Sequence, residues 1–195
     1  MQTIDTEGKV IGQFCCNNGR ELLSLVKSGK AGKGIGFDIA ENQVAFANEK
    51  ASELNLPCEF EAVNIYDIDD RFKEQFDVVI ITIGALCWFK DLKRFFAIVS
   101  KCMKPGADII INEQHPCTNM LATEGDDLYN PEHRIECRYS YFEHEWTGNE
   151  GMYYIQYLFR YICIPFALHS RESHRCLSSL RRKNCFVIKG AILCP

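Results

Sequence analysis

The chain lacks the signatures of several protein classes. Its 195 residues contain no C-x-x-C pair and no H-E-x-x-H stretch, so we expect neither a zinc knuckle nor a zinc protease and predict no metal site. Neither sign of charge is in large surplus, because 22 basic and 26 acidic residues give a formal net charge of −4. This balance does not favour electrostatically driven binding to nucleic acid or to an anionic membrane.

Long hydrophobic runs are also missing. The most apolar late window, residues 153–168, is interrupted by Gln156, Arg160 and Pro165, so it is too short to span a bilayer. Residues 1–9 are polar and do not have the basic and apolar regions of a signal peptide. We therefore expect a soluble, cytoplasmic protein.

Cysteine, by contrast, is abundant. The eleven cysteines are odd in number and irregularly spaced, and many lie within apolar runs such as residues 85–89. This pattern predicts reduced and mostly buried thiols rather than a disulfide framework. Cys15 and Cys16 precede a predicted helix, which would lower a thiol pKa, but no partner base is evident and packing is the favoured role.

Apolar runs alternate with helical patterns over the first two thirds of the chain, which is typical of βαβ units and a parallel sheet. The run at 76–83 is apolar enough for a central strand buried on both faces. The predicted strands are 10–14, 35–38, 59–63, 76–83 and 108–112, and the predicted helices are 20–29, 41–54 and 91–103, with Lys104-Pro105-Gly106 ending the last helix.

We predict one α/β domain over residues 1–195, with a doubly wound, mostly parallel, Rossmann-like sheet and helices on both faces. Residues 9–115 form the core. Residues 116–168 are an insertion that covers one end of the sheet and contains a hairpin, 138–147 with 152–161. Residues 169–195 supply a late helix at 170–183 and a strand at 186–192, leaving no residues for a final antiparallel strand.

The loop after the first strand is the first candidate for ligand binding. Ligands of an open parallel sheet bind at the carboxyl ends of its strands, where the strand order reverses. The loop contains Asn17, Asn18 and Gly19, which tolerate left-handed backbone angles, and it opens a helix whose free N–H groups face a ligand.

Asp38 ends the second strand, nineteen residues after Gly19. A carboxylate there is suited to accept hydrogen bonds from both hydroxyls of a ribose, although it is also placed to cap the following helix. After the third strand, Asn64 and Ile65 are suited to an adenine, or Asn64 is simply a turn residue. Gly84 and Ala85 allow close approach of a ligand, and Trp88 either walls the pocket or joins the core.

The order of these motifs resembles the class I S-adenosylmethionine-dependent methyltransferases. The resemblance spans Val10 to Pro116 and returns more weakly at 177–190. It is carried by the loop 17–21, the strand end 36–38, Asn64-Ile65, the strand 76–79 and the turn 103–106. The family's first loop usually reads acid-x-Gly-x-Gly-x-Gly, whereas this chain has Gln13, Cys15, Asn17 and Gly19 in that frame. The chain is also short at both ends compared with that pattern.

The resemblance implies methyl transfer from S-adenosylmethionine to a small molecule. Because the insertion at 116–168 is rich in aromatic residues, we expect a mainly apolar substrate pocket. The sequence shows no basic groove with interleaved aromatics, so we expect no nucleic-acid partner. Glu113 and His115 are the candidates for a general base. The implied cofactor contacts are Gln13, Phe14, Cys15, Cys16, Asn17, Gly19, Glu21, Asp38, Ile39, Asn64, Ile65, Thr82, Ile83 and Gly84.

Two alternatives remain at this point. The altered glycine loop and short ends are also compatible with a binding or scaffold protein that keeps the fold without catalysis. A nicotinamide-dependent oxidoreductase would use Asp38 equally well, but no G-x-G-x-x-G follows the first strand and no Tyr-x-x-x-Lys pair is present. Fold alone does not separate these functions.

Overall fold

The computed structural model describes residues 5–29, 31–82 and 84–113, together with the backbone of three later strands. The elements are β1 (Val10–Phe14), α1 (Arg20–Gly29), β2 (Lys33–Asp38), α2 (Glu41–Glu53), β3 (Cys58–Ala62), β4 (Phe76–Ile81), α3 (Leu92–Cys102), β5 (Met103–Asn112), β6 (Glu145–Gly148), β7 (Gly151–Tyr154) and β8 (Cys185–Ile188). Short 3-10 turns lie at Ile65–Asp67, Asp70–Phe72 and Leu86–Trp88.

The main sheet has the order β3-β2-β1-β4-β5-β8. Its first five strands pair in parallel, as the alternation of strands and helices predicts. The β4 run of Val and Ile is central because both of its faces are covered by protein. Strand β1 pairs with β2 on one side and with β4 on the other. The first three strands therefore extend the sheet in one direction and the later strands in the other, so the strand order reverses between β1 and β4. The predicted α/β architecture is confirmed.

Helices cover both faces of this sheet. On one face, the apolar sides of α1 and α2 pack against Ile11, Val78 and Ile80. On the other face, α3 packs against a cluster that includes Phe14 and Phe37. Successive residues of a strand point to opposite faces, so Phe14 and its neighbour Gln13 belong to different sides of β1.

Several boundaries differ from the sequence prediction by one or more residues, and three of the differences affect the site or the sheet. Strand β4 ends at Ile81 rather than at Ile83, and Ile83 lies outside the described residues. Helix α2 ends at Glu53 rather than at residue 54, and Leu54 is 46% exposed. Strand β5 begins at Met103, before the Lys-Pro-Gly sequence that was expected to separate helix from strand.

A register shift explains the early start of β5. Phe76 pairs with Met103, whereas Val78 pairs with Asp108, so the four residues 104–107 of β5 lie opposite the single residue Asp77 of β4. Pro105 has no N–H to offer a ladder and Gly106 has a φ of +78°, and both fall within this irregular stretch. The turn residues therefore interrupt the strand without ending it.

The later strands confirm one prediction and correct another. Strands β6 and β7 form an antiparallel hairpin at the predicted position. Strand β8 pairs antiparallel with β5, so the expectation that no residues remain for an antiparallel strand was wrong. The rest of the predicted hairpin and the predicted helix at 170–183 lie outside the described residues. Among the residues described, no helix has the length and apolar character needed to cross a bilayer.

Candidate active site

A cavity of about 660 Å³ lies at the carboxyl ends of β1 to β4, beside the point where the strand order reverses. This volume is in the range of small-molecule and cofactor pockets. Its position is the one at which open α/β sheets bind ligands. It is lined by Cys15, Asn17, Asn18, Arg20, Glu21, Asp38, Ile39, Asn64, Ile65, Tyr66, Thr82, Gly84, Ala85, Trp88 and Phe89.

The loop after β1 keeps a left-handed backbone without being rich in glycine. Cys15, Asn17 and Gly19 have φ angles of +58°, +49° and +71°. The left-handed conformation predicted for Asn17 and Gly19 is confirmed, but the third such residue is Cys15 rather than Asn18. A non-glycine residue in this region costs about 1–2 kcal/mol, so the surrounding structure must hold the loop in place.

Gly19 is required for space as well as for conformation. A Cβ added there would lie 2.5 Å from the Phe60 ring and 2.9 Å from the Ala47 side chain. The amino end of α1 therefore packs closely on α2 and β3. Gly19 supports the cavity from behind and does not line it.

Asp38 joins the end of β2 to this loop. Its Oδ2 accepts a hydrogen bond from the Asn17 N–H at 2.7 Å, and its Oδ1 accepts one from the Ala40 N–H at 3.0 Å. Helix α2 is capped at Ala40, and no side chain supplies a capping hydrogen bond there. The interpretation of Asp38 as the helix cap was therefore wrong. Its carboxylate is fixed at the cavity wall, with lone pairs remaining for a ligand.

Asn64 and Ile65 form the wall beyond β3. Asn64 Oδ1 accepts a hydrogen bond from the Tyr66 N–H at 3.0 Å, so it serves as the turn residue considered from the sequence. The same side chain also lines the cavity, together with the largely buried Ile65. The two roles proposed for Asn64 are compatible.

Gln13 lies beneath the cavity rather than in its wall. Its side chain is completely buried, and its Nε2 donates a hydrogen bond of 3.4 Å to Thr82 Oγ1, which lines the cavity. Among the described residues, Gln13 Oε1 has no hydrogen-bond partner. An unpartnered buried acceptor is costly, so its presence at a site calls for a functional explanation.

Glu113 supports the loop that follows β4. Its two carboxylate oxygens accept hydrogen bonds from the Gly84 N–H at 3.0 Å and from the Leu86 N–H at 3.2 Å. Both oxygens are thus engaged with the backbone, and Glu113 does not line the cavity. His115, the other base predicted from the sequence, lies outside the described residues.

Phe14 and Cys16 were predicted as cofactor contacts but have fully buried side chains that do not reach the cavity. Phe14 belongs to the α3 side of the core, and Cys16 packs on the α1 and α2 side. Only their neighbour Cys15 lines the cavity. Glu21, Ile39 and Gly84, also predicted as contacts, line it as well.

The Cys15 and Cys16 thiols are not activated. Burial, followed by the negative charge of Asp38, raises the pKa of both, to about 12 for Cys16. Glu113 acts on the Cys15 pKa in the same direction. A lowered pKa at the helix terminus is therefore contradicted, and the packing role favoured from the sequence agrees with this environment.

An aromatic rim borders the cavity above β4. Trp88 is 52% exposed and lines the cavity, so it is a wall residue rather than a core residue. Next to it, the rings of Tyr66 and Phe89 meet edge to face at 5.7 Å, and the Arg94 guanidinium lies 4.4 Å from the Tyr66 ring centre. Strand β7 of the hairpin lies against the turn Leu86–Trp88, next to this rim.

Tyr66 and Phe89 line the cavity but were not singled out from the sequence, whereas Asn18 and Arg20 belong to the loop 17–21 without being named as cofactor contacts. Tyr66 and Phe89 each follow a residue that was singled out, so extending those motifs by one residue would have found them. Apart from this proximity, the sequence contains no pattern that would identify these charged and aromatic residues as cavity residues.

Comparison with known proteins places these features in a family. A profile of the methyltransferase domain matches residues 6–157. The tRNA U34 carboxymethyltransferase of Helicobacter hepaticus (strain ATCC 51449 / 3B1) is 32% identical over 114 residues, which cover 54% of this chain and 35% of that protein. The chain thus spans about a third of the length of this curated relative.

Solved structures show the same fold. A protein of Listeria monocytogenes assigned as an S-adenosylmethionine dependent methyltransferase superposes with a TM-score of 0.64 at 21% identity, covering 83% of this chain and 76% of that one. The geranyl diphosphate C-methyltransferase of Streptomyces coelicolor A3(2) gives a TM-score of 0.50 at 17% identity, covering 56% of this chain and 39% of the other.

Proposed function

Because the chain belongs to the methyltransferase domain family, we propose that it transfers a methyl group from S-adenosylmethionine to a small molecule. The family and the Rossmann-like fold predicted from the motif order are confirmed, as is S-adenosylmethionine as the cofactor of such a domain. The family favours methyl transfer over the nicotinamide-dependent alternative. The acceptor, and catalysis by this particular chain, belong to the proposal.

The observation that carries the proposal is the Asp38 carboxylate, held in the cavity wall by two backbone N–H groups. Fixed in this way, its remaining lone pairs suit the two hydroxyls of a ribose. Asn64 and Ile65 then offer a polar and an apolar surface for the base at the next strand end. The residues present therefore fit the nucleoside part of the cofactor.

Charge supports a cationic ligand. Asp38 and Glu21 contribute carboxylates to the cavity wall, Arg20 contributes the opposite charge, and the charge of Glu113 reaches Cys15 from behind the wall. When bound, the cofactor supplies a sulfonium methyl group that is already activated for transfer. A negative potential at this end of the sheet favours that positive charge.

The protein's main task is then to position the acceptor. The rim of Tyr66, Trp88 and Phe89 offers flat apolar surface beside the cavity, suited to a small acceptor with a planar or apolar body. Strand β7 contacts the turn that carries Trp88, so we propose that the inserted segment 116–168 covers the bound acceptor.

Proton removal is needed only for an acceptor that arrives protonated. Glu113 is engaged by Gly84 and Leu86, so its role is to hold the loop. We assign the proton acceptor to His115, two residues further along the chain, because histidine is the residue type most often used for proton transfer near neutral pH.

A tRNA acceptor is the second candidate, because the Helicobacter relative is named as a tRNA U34 carboxymethyltransferase. The exposed Trp88 and the cationic Arg94 beside Tyr66 are compatible with base stacking and phosphate contact. Methylation assays with labelled cofactor and either bulk tRNA or a small-molecule mixture separate the candidates. Label in tRNA alone would contradict the small-molecule proposal.

Calorimetric titration with S-adenosylmethionine, S-adenosylhomocysteine and NADH tests the cofactor site. We expect micromolar binding of the first two and none of NADH. Asp38→Ala should weaken binding by about 1.5–3 kcal/mol, since it removes a charge-assisted hydrogen-bond acceptor. Asp69→Ala is the matched control, because Asp69 also accepts a turn N–H, from Arg71, but does not line the cavity.

Two results would count against the proposal. Unchanged affinity in a folded Asp38→Ala protein would remove Asp38 from the ligand site. Absence of binding by a wild-type protein with a folded circular dichroism spectrum would favour a binding or scaffold protein without catalysis.

A further inference from the structure

A buried side chain beneath the cavity, Gln13, is the donor in a hydrogen bond to the Thr82 hydroxyl in the cavity wall. Gln13 is fully buried, and its Nε2 donates to Thr82 Oγ1, while among the described residues its Oε1 accepts no hydrogen bond. Thr82 stands between this buried amide and the cavity, which it lines. The amide therefore reaches a ligand only through the threonine.

The direction of this hydrogen bond decides what the Thr82 hydroxyl presents to a ligand. A hydroxyl has one hydrogen and two lone pairs. Because the Gln13 amide occupies a lone pair, the hydroxyl hydrogen remains available for an acceptor in the cavity. A carboxylate at position 13 would do the opposite, since it would accept that hydrogen and leave only lone pairs for the ligand.

The place of Thr82 in the cavity indicates which part of a ligand it meets. Asp38 and Asn64 follow β2 and β3, so a nucleoside bound by them leaves the end beside β1 and β4 for the amino-acid part. That end is formed by Cys15, Thr82 and Gly84. A carboxylate there would accept the hydroxyl hydrogen in a charge-assisted hydrogen bond, whereas an ammonium group would use only the remaining lone pair and leave that hydrogen without an acceptor.

We propose that Gln13 is a positioning residue that makes the Thr82 hydroxyl a donor to the carboxylate of the cofactor's amino-acid part. The site then selects ligands that carry this carboxylate. This inference rests on the proposed cofactor site and adds to it the recognition of one functional group.

Binding of three probes tests the inference by calorimetry: S-adenosylmethionine, its decarboxylated analogue and its deaminated analogue. Thr82→Val removes the hydroxyl at almost constant shape, and Thr82→Ser keeps the hydroxyl as a control. We expect Thr82→Val to lower the affinity for S-adenosylmethionine and for the deaminated analogue by about tenfold. The affinity for the decarboxylated analogue should change by less than about twofold. Thr82→Ser should behave like the wild type.

Variants of Gln13 test whether it acts through Thr82. Gln13→Met should reduce the preference for the carboxylate-bearing probes, and the double variant with Thr82→Val should be no more selective than Thr82→Val alone. Gln13→Glu should shift the preference towards the decarboxylated, more cationic analogue. If Gln13 had a purely structural role, its variants would lower the affinity for all three probes by the same factor.

The outcomes separate this inference from the proposed function. Equal weakening of S-adenosylmethionine and its decarboxylated analogue by Thr82→Val would overturn the inference while leaving the cofactor site intact. A folded wild-type protein that binds none of the three probes would overturn both.

Discussion

The two ends of the parallel sheet treat their carboxylates differently. At the amino end, Asp77 accepts hydrogen bonds from the Val10 N–H at 2.9 Å and from Lys104 Nζ at 2.8 Å, and Glu59 pairs with Lys33 at 3.0 Å. At the carboxyl end, Asp38 is held by the backbone N–H groups of Asn17 and Ala40. Asp77 and Glu59 each have a lysine partner, in addition to the Val10 N–H at Asp77, whereas the donors to Asp38 are main-chain N–H groups.

The two kinds of partner have different consequences, one for the stability of the fold and one for the binding of a ligand. A lysine partner neutralises a carboxylate, and at a partly exposed site it adds only modest stability. Backbone N–H groups fix the geometry of a carboxylate and leave its negative charge in place. At the carboxyl end of the sheet, the carboxylates are therefore fixed in position while their negative charge still acts on the cavity. The pKa of the Cys15 thiol is raised first by burial and then by the charge of Asp38, which agrees with this picture.

The largest effect is expected at Glu113, which holds the loop after β4. Glu113→Ala leaves the Gly84 and Leu86 N–H groups without their carboxylate, so we expect a loss of about 3 kcal/mol in the free energy of unfolding. Urea denaturation measures this loss. Glu113→Gln keeps one acceptor oxygen and should lose less, and equal stability of the alanine variant and the wild type would contradict a supporting role.

An intermediate effect of opposite sign is expected beneath the cavity. Gln13→Met replaces a buried, unpartnered acceptor with an apolar side chain of similar size, so the unfolding free energy should rise by about 1–2 kcal/mol. Such a rise would show that the buried Gln13 amide lowers the stability of the wild-type protein. Thermal unfolding is the measurement, with Gln13→Glu as the destabilised comparison, and a less stable methionine variant would refute the reasoning.

The smallest effect is expected at the amino end, at Asp77. Partial burial acts to raise the pKa of Asp77, but the hydrogen bonds from Lys104 and the Val10 N–H hold it below its ordinary value. A lowered native pKa adds stability above the unfolded pKa, and this stability is lost as the pH falls through the native pKa.

Asp77→Asn should therefore lower the unfolding free energy by about 1 kcal/mol at pH 7. Its difference from the wild type should narrow as the pH falls below about 4. Urea midpoints measured at several pH values follow this change. A difference that stays constant from pH 7 to pH 3 would show that the charge of Asp77 is not responsible.

Most of the fold follows from patterns that act locally. The apolar run of β4 and the helical spacing in α1 give nearly the observed boundaries because burial alone determines them. The beginning of β5 does not follow, since Lys104-Pro105-Gly106 interrupts a helix equally well and only the register with β4 shows that the strand continues. The antiparallel direction of β8 is likewise set by pairing over a long sequence distance.

The site is less predictable because a ligand contact depends on which face of a strand a side chain occupies. The β1 loop was found from the sequence, yet Phe14 points into the core while Cys15 lines the cavity. Asp38 lines the cavity at the predicted strand end, but its hydrogen-bond partners Asn17 and Ala40 required the structure. Gln13 stands where the family usually has an acid, and its burial beneath the cavity and its hydrogen bond to Thr82 required the structure.

The antiparallel strand β8 also has a consequence for handling the protein. It occupies the backbone groups along Ile109 to Asn112 of β5 that would otherwise form an open sheet edge. An open edge beside the apolar residues of β5 is a template for strands of other molecules. A shortened version that lacks residues 185–188 should therefore self-associate more readily, even though every residue that lines the cavity would still be present.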